Sequence, residues 1–346
     1  MYLKDLVDIQ MGQSPDSKFY NNDKIGLPFY QGKADFGRIN PIPKIWCSKS
    51  KKEAKPNDIL ISVRAPVGDL NINNEQSCIG RGLAAITCKS DVDMMYLYYH
   101  LKYLKPQLRH ISTGSTFESI NRSQLENLII DYKPYSEQIK ISNILQVVQR
   151  QIEVREKLLR LYDLLIKSRF VEMFGDIRES GRFKVKKWKD VVDIFNGKDY
   201  KTVQVDIGGY PVYGSGGIIA RASEYICPAK TIIIGRKGSI NNPILVNEKF
   251  WNVDTAFGIV PRETIDTNYL FYFCKQYNFN HLNKATTLPS LTKRDLLEIE
   301  INIPSFEEQE TFSRFVGQIN KLKSDVQKSI DETQLLMDSL MQEYFG

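Results

Sequence analysis

The sequence predicts an α+β protein made of two duplicated mixed α/β heads joined by two long helices, and three observations carry that prediction. The chain repeats itself once along its 346 residues. Each copy opens with short apolar runs such as DILISV and KTIIIG, broken by Gly, Asn and Pro, which read as strands and turns. Each copy closes with a sustained helical pattern of more than four heptads. Packed as an antiparallel coiled coil, the two helices would relate the heads by a pseudo-twofold axis.

The repeat is legible as a series of matched pieces. Leu3-Lys-Asp-Leu-Val-Asp-Ile9 recurs as Trp188-Lys-Asp-Val-Val-Asp-Ile194, and Leu27-Pro-Phe-Tyr30 as Tyr210-Pro-Val-Tyr213. Ile59-Leu-Ile-Ser-Val-Arg64 matches Thr231-Ile-Ile-Ile-Gly-Arg236, and Tyr96 to Tyr99 match Tyr269 to Tyr272. Lys133-Pro-Tyr-Ser-Glu-Gln138 parallels Pro304-Ser-Phe-Glu-Glu-Gln309, and Met173-Phe-Gly175 parallels Tyr344-Phe-Gly346. A period this long marks a duplicated domain rather than a solenoid unit.

The helical stretches step by four and three in the same register. Ile141, Leu145, Val148, Ile152 and Leu159 lead the first, and Phe312, Val316, Ile319, Val326 and Ile330 lead the second. That spacing predicts a helix-pair seam, the alternative being long amphipathic core helices. The chain then divides into a first head over 1–137, a first long helix over 138–175, a basic linker over 176–187, a second head over 188–308 and a second long helix over 309–346. The linker, DIRESGRFKVKK, is either solvated or in contact with nucleic acid.

Composition narrows the function. Hydrophobic residues make up 42% and charged residues 25%, the balance of a soluble globular protein, and the longest aliphatic runs are only strand-sized. The start, MYLKDLVDIQMGQ, carries acids and lacks a signal-peptide core, so a cytoplasmic location is expected. Cys47, Cys78, Cys88, Cys227 and Cys274 are scattered with no CxxC, and His100, His110 and His281 fall in no ligand spacing. Neither a metal site nor a disulfide framework is expected, nor a histidine-based catalytic centre. Lys and Arg number 47 against 41 acids, a net charge of +6. The stretch 201–250 has six bases against three acids, whereas 301–346 has four against eight. Basic heads suit DNA, and an acidic last helix suits protein docking. A helix of about 33 residues is about 50 Å long, so two heads on such a ruler suit two separated half-sites on a duplex.

These pieces, in this order and present twice, make the chain resemble the specificity subunit of type I restriction-modification systems. The resemblance covers essentially the whole chain. It rests on the opening K-D-x-V-D-I runs, the strand ending in Arg64 or Arg236, and the Ser/Thr-rich stretches STGSTFESINRSQL and KATTLPSLTKRDL. It rests also on the SEQ and EEQ turns and the closing aromatic-Phe-Gly. One departure is that the first copy is a residue shorter between its proline and Gln138, which leaves the angle of the first helix open. The resemblance implies two target recognition domains, each reading half of a split DNA site, and helices that set the spacer and dock two modification subunits. Those subunits would bring S-adenosylmethionine and methylate adenine, with restriction subunits joining for cleavage; this chain itself would bind no cofactor and perform no catalysis.

Base readout needs planar or amide side chains, whereas phosphate anchoring takes any cation, hydroxyl or backbone N–H. In the first head the loop from Gln31 through Lys33 to Arg38 is the leading candidate, and in the second the stretch Tyr213-Gly-Ser215 to Arg221. The alternative for both is a tight turn with solvated charges. Arg64, Arg236 and Lys237 follow a strand and could anchor phosphate, or the arginines could hold a buried carboxylate such as Asp254. Ser115, Thr116, Thr286 and Thr287 offer hydroxyls, and Arg122 and Lys293 offer charge. The aromatic clusters at 96–99 and 269–273 have helical spacing and read as core. Two other functions stay in view. A coiled-coil scaffold explains the helices alone. A DNA methyltransferase would need more than YGSGG and Asn241-Asn-Pro-Ile244, which lack a following acidic partner and the Pro-aromatic ending.

Overall fold

The computed structural model describes residues 1–112, 118–176, 181–283 and 289–346, so the expected contacts Ser115, Thr116, Thr286 and Thr287 lie outside the described residues. By packing the chain forms two compact units, one of residues 1–155 with 329–346 and the other of residues 156–328. Both are α+β.

In the first unit Val7–Met11, Leu83–Cys88, Ile59–Ser62 and Leu70–Ile72 lie side by side, in that order, as an antiparallel sheet. Ile59 and Ile61 and the facing Ala84 and Ile86 are fully buried. They pack with Leu97, Leu101, Leu108 and Leu125, which come from short helices. A smaller five-stranded sheet holds Leu27–Tyr30 against Ser77–Ile79 in parallel. The second unit repeats the plan. Val192–Asn196, Ala256–Pro261, Thr231–Gly235 and Ile244–Val246 form its antiparallel sheet, and Tyr210–Gly214 runs parallel to Trp251–Asn252 in the smaller one. Central strands buried on both faces explain the unbroken aliphatic runs in the sequence.

The long helices run Tyr135–Phe174 and Phe306–Phe345, each 40 residues. Their starts are tied to the heads by buried amides. The Gln138 carbonyl oxygen accepts from the Asp93 N–H at 2.9 Å, and its amide nitrogen donates to the carbonyls of Lys133 at 2.8 Å and Asp91 at 3.2 Å. Gln309 makes the same set with the Asp266 N–H, Pro304 and Thr264, at 2.8, 3.0 and 3.3 Å. Asp93 and Asp266 in turn cap the head helices Met94–Tyr103 and Thr267–Gln276. The glutamine bonds the residue five before it in both copies, so the shorter first turn leaves this connection unchanged.

The far ends of the helices finish the units. In the first unit Ile141, Leu145 and Val148, from the start of one helix, cluster with Met337, Met341 and Phe345 from the end of the other, over Tyr96 and Tyr99. In the second, Phe170 stacks on Tyr269 at 5.5 Å, Phe174 meets Phe312 at 5.6 Å and Lys323 pairs with Asp163. Start meets end in each unit, so the helix segments run antiparallel there. Of the expected seam, Ile141, Leu145, Val148, Ile152, Phe312, Val316 and Ile319 are buried, while Leu159, Val326 and Ile330 are half-buried. At the ends the strict heptad slips. Phe170 and Phe174 are buried where Arg169 and Met173 continue the repeat, and Met341 and Phe345 where Leu340 and Tyr344 do. An α-helix of 3.6 residues per turn drifts about 20° per heptad, enough over four heptads to move the seam by one residue.

The basic stretch 176–187 is a connector only in part. Lys184–Lys187 is a strand paired antiparallel with Glu300–Ile303, and Lys187 bonds Glu298 at 2.6 Å. Its alternating lysines look like a solvated charge run, but the backbone pairing decides the structure. Among the described residues no helix is long and apolar enough to cross a membrane.

Two stability predictions follow from this packing. Gln138→Ala and Gln309→Ala each strand one buried N–H and two carbonyls, and each should lower the stability of its own unit by about 2–4 kcal/mol, read as a fall in denaturation midpoint. His100 is buried, its Nδ1 has no hydrogen-bond partner among the described residues, and its ring stacks on Phe345 at 4.6 Å. Burial pushes its pKa down from 6.5 to about 4, Asp131 pulling the other way and Lys133 adding to the fall. Because the folded value lies below the unfolded one, the stability this contributes is complete above pH 6.5 and is lost as the pH falls toward 4. The loss should reach about 3 kcal/mol, and His100→Gln should flatten that part of a stability-against-pH curve.

Candidate nucleic-acid interface

Each head presents the end of a central strand beside the segment that precedes its small helix, and the main chain straps the two together. In the first head the Ala65 N–H donates to Glu118 at 3.0 Å and the Ile120 N–H to Val63 at 2.9 Å. In the second the Gly238 N–H donates to Pro289 at 3.0 Å and the Leu291 N–H to Arg236 at 2.9 Å. Arg64 bridges Ser119, and Lys237 bridges Ser290. This frame brings the exposed Arg64, and the exposed Arg236 and Lys237, next to Ser119 and Ser290 within the Ser/Thr-rich stretches.

The same frame corrects the internal alignment. The structural counterpart of Arg64 is Lys237, and Arg236 stands where the first head has the buried Val63. A strand shifted by one residue sends every side chain to the other face, so the repeated arginine is not a repeated position. The guanidinium of Arg236 lies 5.8 Å from the centre of the Phe257 ring. Asp254 is exposed, which removes it as a buried carboxylate for that arginine. Neither Arg64, Arg236 nor Lys237 forms an ion pair with another described residue.

The two faces are built differently around that frame. In the first, Gln31 to Arg38 form a loop with a short 3-10 turn at Lys33–Asp35, and a cleft of about 510 Å³ opens between Gln31, Lys33, Asp35, Ala65 and Pro66. Asp69 beneath it pairs with Lys33 at 2.8 Å and with Lys105. Burial raises the Asp69 carboxyl, but the two ammonium groups outweigh it and hold the pKa below the usual carboxylate value. Arg38 pairs with Glu153 at 3.5 Å and Arg122 with Glu126 at 2.7 Å. Asp69 and Lys105 escape sequence reading because nothing in the spacing joins them to Lys33.

In the second face Tyr210–Gly214 and Gly217–Ala222 form a β-hairpin. Tyr213 meets the Phe250 ring edge-on at 5.3 Å, and Ser215 sits half-buried at the tip. Arg221 donates to the carbonyls of Gly208 at 2.6 Å and Gly209 at 3.2 Å, so it shapes the neighbouring turn. Lys293 donates to the Ile194 carbonyl at 2.7 Å, inside its own head. Of the sequence candidates, then, Gln31, Lys33, Arg64, Ser215, Arg236 and Lys237 gather at the strand ends and loops, while Arg221 and Lys293 are engaged with backbone. The clusters at 96–99 and 269–273 are mainly core, with Tyr96, Tyr99, Tyr269 and Phe273 buried.

An internally duplicated protein with two sheet-built heads and a pair of long helices belongs to a recognisable class. A family model described as the type I restriction modification DNA specificity domain matches residues 1–160 and again 181–333, and the chain belongs to this family. Each copy thus carries one match to this domain, in an α+β fold. A protein assigned as the type I restriction enzyme MjaX specificity subunit, from Methanocaldococcus jannaschii, is 45% identical over 150 residues, 43% of this chain and 35% of that protein. The MjaVIII specificity subunit of the same organism is 27% identical over 281 residues, 67% of this chain and 64% of the other. The chain thus spans between about a third and two thirds of the length of these relatives. In fold it is similar to the S subunit of a type I restriction-modification system from M. genitalium, with a TM-score of 0.62 at 17% identity over 100% of this chain and 95% of the other. A chain from a structure of a type I R-M system gives 0.64 at 16% identity, over 100% and 96%.

Exposed and engaged cations should separate in a stability measurement. Arg64→Ala and Arg236→Ala should each leave the denaturation midpoint within about 0.5 kcal/mol of wild type, whereas Lys293→Ala should lower stability by about 1 kcal/mol.

Proposed function

We propose that this chain is the sequence-reading subunit of a type I restriction-modification complex. Each target recognition domain reads one half of a bipartite, asymmetric site in double-stranded DNA. The long helices set the spacer and dock two modification subunits, with restriction subunits joining them in the cytoplasm. The observation that carries this reading is one strapped frame built twice, with exposed cations at the same place and different loops around it. A repeated frame supplies equivalent docking on two stretches of duplex, and different loops supply two different half-sites. The chain performs no chemistry of its own; S-adenosylmethionine binds the modification subunits.

Exposed apolar residues on the helices support the docking role. Ile144, Val147 and Val154 are exposed in the first unit, and Leu161, Leu164 and Leu165 in the second. Such surface on a soluble helix gains free energy when a partner covers it. A scaffold that binds protein alone would share these stripes but has no use for two different basic faces.

The test is a genome-wide map of N6-methyladenine in a host expressing this chain with modification subunits, compared with the same host lacking the chain. A new split motif, two short half-sites at a fixed spacing, is the expected result. An unchanged methylation pattern from an expressed and assembled complex would remove the reading and leave the scaffold.

A further inference from the structure

The second head carries an exposed apolar pair in the middle of its basic face. Ile218 and Ile219 are neighbours in the strand Gly217–Ala222, yet they are 59% and 55% exposed. In a regular strand adjacent side chains leave on opposite faces. Here the register breaks: Val212 pairs with Ala220 and Tyr213 with Ile218, so Ile219 has no residue opposite it. A bulge of this kind bends the strand and re-aims the extra side chain. The hairpin closes through Gly217 at a φ of +124°, a conformation that favours glycine.

The hairpin tip lies against the strand that delivers the cations. The Ser215 Cβ is 3.1 Å from where a Cβ on Gly235 would stand, and Arg236 and Lys237 follow at once. Two exposed isoleucines thus lie toward the tip of a hairpin whose strands are the central pair of a four-stranded sheet, and that tip abuts the strand leading into the exposed Arg236 and Lys237. The major groove of B-DNA admits a protruding β element such as this hairpin tip, and the apolar group on a base edge there is the thymine C5 methyl. The surrounding charge, six bases against three acids over 201–250, complements the phosphates on either side.

We infer that the hairpin Tyr210–Ala222 is the reading element of the second head, with Ile218 and Ile219 contacting thymine methyls in the major groove. This rests on the DNA-reading role proposed above and adds to it that the second half-site contains at least one T·A pair at a fixed position. Arg221 is a positioning residue that holds the adjoining turn. The first head places a 3-10 turn and the paired Lys33 and Asp69 at the corresponding point.

The experiment is selection from a randomised duplex library by the full chain assembled with modification subunits, as wild type and as the double variant I218S/I219S. Wild type should select a split motif whose second half includes thymine. In the variant the first half and the spacer should be unchanged, which serves as the folding control, while the thymine preference in the second half is lost. Replacing that thymine by deoxyuridine in the selected duplex should weaken wild-type binding about fourfold per methyl removed and leave variant binding unchanged. A variant motif identical to wild type, a second half without thymine, or deoxyuridine binding as well as thymine would each overturn the inference and leave the two-headed reading standing. Failure of wild type to select any split motif would overturn both. A variant whose first half is also lost is replaced by I218V/I219S, judged by the same criteria.

Discussion

Two buried amides set the geometry on which the rest of the molecule depends. Gln138 and Gln309 are each fully buried, and each uses its carbonyl to receive the N–H of a helix-capping aspartate and its NH₂ to bond two carbonyls. Only an amide can do this. A carboxylate would accept but not donate, and an alkyl chain would leave all three backbone groups unpaired in the interior. The bond fixes the first turn of each long helix against the start of the head helix that carries Tyr96 or Tyr269. Those tyrosines, held in turn by hydroxyl bonds to the Asp131 and Asn302 carbonyls at 2.6 and 2.7 Å, form the floor on which the helix ends pack.

From that anchor the aromatic endings acquire their role. Phe345 packs against Tyr96 and His100 in the first unit, and Phe174 against Tyr269 and Phe312 in the second. Each unit is closed by the end of the helix that begins in the other copy, so the order of segments along the chain is not the order of packing. The phenylalanine of each closing Phe-Gly is a core element, while the glycine after it is not buried.

What was legible in the sequence and what was not divides along physical lines. The duplication and the long helices could be read because periodicity is a local property that survives any tertiary context. The glutamines stood in the matched SEQ and EEQ turns, but their burial depends on partners some 45 residues away, Asp93 and Asp266, which no spacing announces. The arginine match failed by one residue because the loops between short strands differ in length, and the strap to Ser119 and Ser290 reveals the true counterpart. Lys293 looks like a free cation and is spent on a carbonyl. The stretch from Tyr213 to Arg221 reads as a contact loop or a tight turn, and the bulge that leaves Ile218 and Ile219 exposed in it has almost no trace in composition.

The straps and the glutamine bonds run through backbone groups and two side chains, and neither uses the loop from Gln31 to Arg38 or the hairpin from Tyr210 to Ala222. That separation gives the faces freedom to differ. In one, a 3-10 turn lies beside a cleft and an aspartate pairs with two lysines; in the other, a bulged hairpin leaves two isoleucines exposed. Changing the length of either loop costs little loop-closure entropy and disturbs no frame hydrogen bond. A duplicated protein built this way keeps its two heads equivalent where they are held and unlike where they face outward, the arrangement an asymmetric two-part site requires.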